Sequence, residues 1–174
     1  MDTQPTAPTQ EPPTPARENR MEWDTTQVAD GVYLLRLMAT DQPAMPSDYA
    51  TVYTPPIPVV VCNTPPSVLI SEHSVQVDAE GRALLMGYAF QRATLKNGSE
   101  RAALLTSVGI TAVQYRIGEG DWFSAEPLDG LFDSSYEPFR IRTEPLPKGE
   151  HTLKIKVFNA AGKAVEIERK VKRD

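Results

Sequence analysis

The chain has 174 residues, 40% of them hydrophobic, and a formal net charge of −5 at pH 7. That length suits one large or two small domains, and the hydrophobic fraction is enough for a packed core. The negative charge argues against a nucleic-acid-binding surface, which needs a basic stripe. The sequence contains no run of about 18 apolar residues, so it predicts no membrane span.

The first twenty residues are rich in proline, threonine and glutamine, with almost no large apolar side chains. Such a segment cannot bury enough surface to offset the entropy lost on ordering, so we expect residues 1–20 to form a disordered tail. They also lack the apolar core of a signal peptide. The single cysteine, Cys62, follows three valines and is interpreted as a small buried hydrophobe, not a nucleophile.

Residues 21–63 are predicted to form a partial β-module. From Val32 to Thr40 both faces of the predicted strand are largely apolar, which is typical of a strand covered on two sides. The partner strand, up to Val61, is interrupted by prolines and is expected to be an edge or bulged strand. A unit of about 40 residues without disulfide or metal is below the size that usually folds alone.

We therefore expect this partial module to complete its core on another polypeptide or on a second copy of the chain. The side chains predicted to form this partner interface are aromatic or apolar: Trp23, Val32, Leu34, Met38, Tyr49 and Tyr53.

Residues 64–174 are predicted to form an all-β domain, an immunoglobulin-like antiparallel β-sandwich. Short alternating runs, such as the one from Val113 to Ile117, are separated by turn signals about every ten residues. The segment 91–107 is less regular, and Ser99 is predicted to cap one or two helical turns through Leu105. A basic run near the C-terminus is interpreted as the solvated face of an edge strand.

Several short motifs occur together in one known group of proteins. They are Trp23-Asp24-Thr25-Thr26, Ala29-Asp30-Gly31-Val32-Tyr33, Asn63-Thr64-Pro65-Pro66, Val113-Gln114-Tyr115-Arg116, Gly120-Asp121-Trp122, Asp129-Gly130-Leu131-Phe132-Asp133-Ser134, Gly149-Glu150-His151-Thr152 and Asn159-Ala160-Ala161-Gly162-Lys163. With these motifs the chain resembles the tandem immunoglobulin-like or fibronectin-type-III-like modules that end large secreted bacterial proteins, often after a β-propeller.

The resemblance implies a non-catalytic adhesion, spacer or assembly role in an extracellular or cell-envelope complex. The implied partner is another protein chain, either of the β-propeller type or a second copy. The first module departs from the pattern, because the tail stands where its early strands would be.

Chemistry-bearing residues are sparse. His73 and His151 are the only histidines in the sequence, and neither has a cysteine or carboxylate at metal-ligand spacing. No nucleophile and base stand in a recognisable pattern, so no enzymatic activity is predicted. Acidic residues in two turns are a candidate for Ca²⁺, the one cofactor considered, although turn chemistry also explains them: Glu119, Asp121, Asp129, Asp133 and Glu137.

Aromatic residues cluster in sequence between positions 122 and 136. Trp122, Phe123 and Tyr136 form a candidate ligand surface, which makes a carbohydrate-binding accessory module the alternative function. Packing of these rings against the sandwich is the competing interpretation.

Overall fold

A computed structural model of the chain describes residues 21–40, 50–71, 74–93, 103–104 and 108–174. The predictions for the tail, for Tyr49 and for His73 fall outside these residues. Nearly all the regular secondary structure of the described part is β-strand, and a 3-10 turn lies at Thr25–Gln27, which confirms the all-β prediction. Among the described residues, no helix is long and apolar enough to cross a membrane.

The strands, in chain order, are β1 Gly31–Leu35, β2 Met38–Thr40, β3 Thr51–Tyr53, β4 Ile57–Val61, β5 Ser67–Ile70, β6 Gln76–Val77, β7 Arg82–Phe90, β8 Arg92–Ala93, β9 Ala103–Leu104, β10 Ile110–Ile117, β11 Phe123–Ser124, β12 Glu126–Pro127, β13 Tyr136–Pro145, β14 Gly149–Asn159 and β15 Ala164–Arg173.

Two antiparallel sheets form a sandwich. One has the order β11-β10-β14-β15, and the other has the order β12-β13-β7-β5, with β6 also paired to β7. β5, β7, β13 and β12 thus follow the A-B-E-D order of an immunoglobulin sheet, and β15, β14 and β10 follow the G-F-C order of its partner. β11 extends the second sheet beside β10. The predicted immunoglobulin-like sandwich is confirmed.

Alternate side chains of each strand point inward between the two sheets and form the core. On β14, Leu153, Ile155 and Val157 are fully buried, while Lys154 and Lys156 between them lie on the outer face. Since successive side chains of a strand point to opposite faces, this one strand shows both the core and the solvent side of its sheet. The opposite sheet completes the core from β7 and β13, whose inward side chains include Leu85, Phe139 and Ile141.

The basic C-terminal run lies where it was expected. β15 is an edge strand of its sheet and carries Lys170 and Lys172 among the side chains of its exposed face. The segment before β10 differs from the prediction. Ala103–Leu104 form β9, which pairs with β8, so the predicted helical turns are wrong at these two residues. The rest of that predicted helix falls outside the described residues.

The N-terminal unit is a long hairpin built from β1 to β4. β1 pairs with β4, and β2 pairs with β3. The single strand predicted from Val32 to Thr40 is interrupted between β1 and β2. Two residues separate Leu35 from Met38 on the first arm, and three separate Tyr53 from Ile57 on the second. The extra residue, in a segment containing Pro55 and Pro56, creates a bulge that shifts the register.

Candidate functional site

One face of the hairpin is apolar and open to solvent. Val32 lies opposite Val60, and Leu34 lies opposite Pro58, so the four side chains share a face. Val32 is 56% exposed, Leu34 is 68% exposed and Val60 is 42% exposed. Nothing in the described part of the chain buries this face, which we call the open face.

The other face of β1 and β4 is covered by the chain itself near the base of the hairpin. Trp23 packs edge-to-face on Tyr33, with ring centroids 5.4 Å apart. The Tyr33 hydroxyl donates a hydrogen bond of 2.8 Å to the carbonyl oxygen of Ala29. Val61 at the end of β4 is buried. The hairpin therefore hides this face near its base, whereas Leu35 and Ile57 farther out on the same face are 36% and 63% exposed. The open face has no such cover among the described residues.

The outer half of the hairpin continues the exposed apolar surface. Leu37 is 68% exposed, Met38 59%, Val52 67% and Tyr53 50%. The Arg36 guanidinium lies 4.5 Å from the centroid of the Tyr53 ring, so part of this ring is covered by a cation. Of the predicted interface residues, Val32, Leu34, Met38 and Tyr53 are thus exposed on the hairpin, and Trp23 is half-buried against Tyr33.

The base of the hairpin is fixed by polar contacts between its two ends. The backbone N–H of Asn63 donates to Oδ1 of the buried Asp30 at 2.6 Å. The Asn63 side-chain amide donates to the carbonyl oxygen of Thr25 at 2.8 Å. Hydrogen bonds to a carboxylate are stronger than those between neutral groups. These contacts close the hairpin where it joins the sandwich.

A buried polar cluster joins the hairpin exit to the sandwich. Asn159 Nδ2 donates to Gln91 Oε1 at 2.8 Å and points at Cys62 Sγ at 3.6 Å. Gln91 Nε2 donates in turn to the carbonyl oxygens of Thr64 and Arg92. Cys62, Gln91 and Asn159 are all buried, so we call them the polar junction.

Sequence reasoning did not single out Gln91 or the buried side of Asn159. The one sequence feature that could have identified Gln91 is its position as a polar residue directly after the apolar run of β7. Nothing in the local pattern at Asn159 distinguishes a buried junction residue from an ordinary turn residue, because the partners stand far away in the chain.

Burial decides the chemistry of Cys62. Desolvation raises the pKa of the Cys62 thiol, and the nearby Asp30 carboxylate raises it further. The thiol is therefore protonated at neutral pH and is a poor nucleophile. We expect iodoacetamide to alkylate Cys62 in the folded chain roughly tenfold or more slowly than in the chain unfolded by guanidinium. Mass spectrometry of timed samples measures both rates, and equal rates would contradict the buried position.

The candidate ligand residues are divided between the two sheets. Trp122, just before β11, has the Arg116 guanidinium 4.7 Å from its ring centroid and the Lys156 ammonium 5.8 Å away. The neighbouring Phe123 pairs instead with Tyr115, at 5.8 Å between centroids. These rings belong to the sheet of β10 and β14.

Tyr136 belongs to the opposite sheet. It stacks on Tyr88 with ring centroids 5.4 Å apart, and the centroid of the Phe90 ring lies 6.4 Å away. The structure therefore does not bring Tyr136 together with Trp122. It assembles a different aromatic row, formed by Tyr88, Phe90 and Tyr136 on the outer face of β7 and β13.

The acidic residues considered for Ca²⁺ are also separated. Lys154 Nζ lies 2.6 Å from Glu119 Oε1, and this contact together with Arg116 lowers the pKa of the Glu119 carboxyl group. Glu137 is buried, and its Oε1 accepts the backbone N–H groups of Asp133 and Ser134. Within the described ranges, no three histidine, cysteine or acidic residues are grouped as metal ligands. His151 Nε2 lies 2.8 Å from the carbonyl oxygen of Pro147.

No protein-family model matches the chain, and no curated protein matches its sequence at a significant level. The function must be argued from the geometry of the hairpin and of the sandwich.

Proposed function

We propose that the chain is a non-catalytic structural and interaction module, which assembles with another protein chain through its N-terminal hairpin. The proposal rests on the open face, where Val32 and Leu34 remain more than half exposed on a regular strand. The sandwich itself buries its inward side chains almost completely. A contiguous exposed apolar surface on a soluble domain is typical of a protein-interaction site.

Strand count supports the same proposal. A two-stranded hairpin is marginally stable in water, and three or more strands with an apolar face, or packing against another element, are needed for independent stability. The hairpin offers two strands at each level, β1 with β4 and β2 with β3. A partner chain that covers the open face would supply the missing layer. The resemblance to terminal modules of secreted bacterial proteins supports an extracellular or cell-envelope setting, with a β-propeller-type domain or a second copy as partner.

Amide hydrogen exchange tests this proposal on the purified chain at a concentration where it is monomeric. Amides of β1 to β4 are expected to exchange at least tenfold faster than those of β10 and β14, because the hairpin lacks its cover. Slow exchange throughout the hairpin of the monomer would overturn the proposal.

A photo-crosslinking side chain at Leu34 locates the contact. In the native mixture, we expect an adduct with a second polypeptide through this position. The matched control places the same side chain at Leu131, which is 62% exposed on the sandwich. Adducts of equal yield from both positions would show that the hairpin is not a specific interface.

A carbohydrate-binding accessory module is the second candidate. It is supported by the aromatic row, in which Tyr88 is 41% exposed and Tyr136 is 49% exposed on one sheet face. Exposed aromatic faces can stack on the apolar faces of sugar rings. A glycan array with the Tyr136→Ala and Trp122→Ala variants distinguishes this candidate, since loss of a glycan signal in either variant would assign the binding surface.

A further inference from the structure

The two strands β1 and β4 present different outer edges. In an antiparallel pair, residues alternate between hydrogen-bonded and non-hydrogen-bonded positions. Pro58 has no N–H, and it lies opposite Leu34 within a continuous ladder. The Leu34–Pro58 pair must therefore be non-hydrogen-bonded, and the backbone N–H and C=O of Leu34 point away from β4. With period two, the same holds for Val32.

The outer edge of β4 is blocked and that of β1 is not. On β4 the outward positions are Pro58 and Val60, and Pro58 supplies no donor. On β1 the outward positions are Val32 and Leu34, which supply two donors and two acceptors. Proteins commonly use proline to protect an exposed strand edge from pairing. The sequence of β1 contains no proline and no charge.

Other strand edges in the described part of the chain are protected in different ways. β15 carries alternating charged side chains such as Glu166, Glu168, Lys170 and Lys172. β11 and β12 have two residues each. β5 and β6 lie against β15 of the opposite sheet. β1 combines a regular five-residue strand with an unprotected edge.

We propose that β1 pairs antiparallel with β1 of a second copy, forming a four-stranded sheet with the order β4-β1-β1-β4 across a two-fold axis. This inference rests on the proposed function, since it names one partner of the same hairpin. The axis passes beside Tyr33, so Val32 of one protomer lies opposite Leu34 of the other. Each of these pairs exchanges two backbone hydrogen bonds, because both residues direct their free N–H and C=O to this edge.

The register also suits the side chains. Val32 and Leu34 lie on the open face, and pairing brings each against its apolar counterpart in the second copy. Four strands exceed the number below which an isolated ribbon is marginal.

Light scattering coupled to size-exclusion chromatography tests the proposal on the full chain over a concentration series. The expected mass at high concentration is twice the 19.2 kDa of the single chain. Val32→Pro removes one outward N–H from β1, and Val60→Pro removes one from the outer edge of β4 in the same residue pair. We expect Val32→Pro to weaken dimerisation at least tenfold and Val60→Pro to leave it unchanged. In both variants the amide protection of Tyr33 and Val59, whose N–H groups face the neighbouring strand of the hairpin, should match that of the wild-type monomer and show that the hairpin still forms.

Three results would overturn the self-pairing. The first is a wild-type chain that is monomeric at all concentrations, the second is a dimer unaffected by Val32→Pro, and the third is equal loss in both variants. A monomeric wild type that still crosslinks through Leu34 to a different polypeptide would overturn this inference and leave the proposed function standing.

Discussion

Phe139→Ala is expected to lower the free energy of unfolding of the sandwich by about 4 kcal/mol. Phe139 is fully buried and lies opposite Gly87 on the neighbouring strand β7. Its ring fills the space above this glycine, since a Cβ on Gly87 would lie 2.6 Å from Cζ of Phe139. Because Gly87 has no side chain to move into the gap, truncation leaves a cavity. Urea denaturation followed by tryptophan fluorescence measures the change.

Phe123→Ala is the matched control, because the same truncation occurs at a ring that is 53% exposed. It is expected to cost about 1 kcal/mol or less. A comparable loss in both variants would contradict the assigned core.

Gly87→Ala tests the same contact from the other strand. Alone it should destabilise by about 1–3 kcal/mol through overpacking, whereas in the Phe139→Ala background its methyl group should enter the cavity and restore part of the lost stability.

Asn159→Ala is expected to lower the free energy of unfolding by about 3 kcal/mol. Asn159 Oδ1 accepts the backbone N–H groups of Ala161 and Lys163, which closes the turn between β14 and β15. Its Nδ2 donates to Gln91 Oε1, and Gln91 is fully buried. Removing the side chain therefore takes two hydrogen bonds from the turn and leaves a buried acceptor without its donor. Thermal and urea unfolding of the full chain measure the loss.

Asn63→Ala provides the contrast, because it removes an asparagine side chain from the hairpin base and not from the polar junction. We expect faster amide exchange in β1 and β4, with the unfolding free energy of the sandwich lowered by about 1 kcal/mol or less. If Asn63→Ala destabilised the sandwich as much as Asn159→Ala, the polar junction would not have the separate role assigned to it.

The sequence by itself determined the strand content and the direction of most core side chains. Side-chain alternation is a property of one strand, so Leu153, Ile155 and Val157 could be assigned to the core without knowing their neighbours. The same local reasoning identified the surplus of apolar side chains around Val32 and Leu34. It predicted that these residues need a cover, and both are exposed in the structure.

The tertiary structure decided which residues contact each other. The polar junction joins Asn159 to Gln91 across 68 positions and to Cys62 across 97, which no local pattern encodes. Likewise, Tyr136 stacks on Tyr88 because β13 pairs with β7, although Trp122 stands nearer to it in the chain. The backbone groups of β1 that face outward are likewise set by the register, because Pro58 of β4 lies opposite Leu34. Local periodicity sets the side a residue faces, whereas strand pairing and register, which depend on distant residues, set its partner.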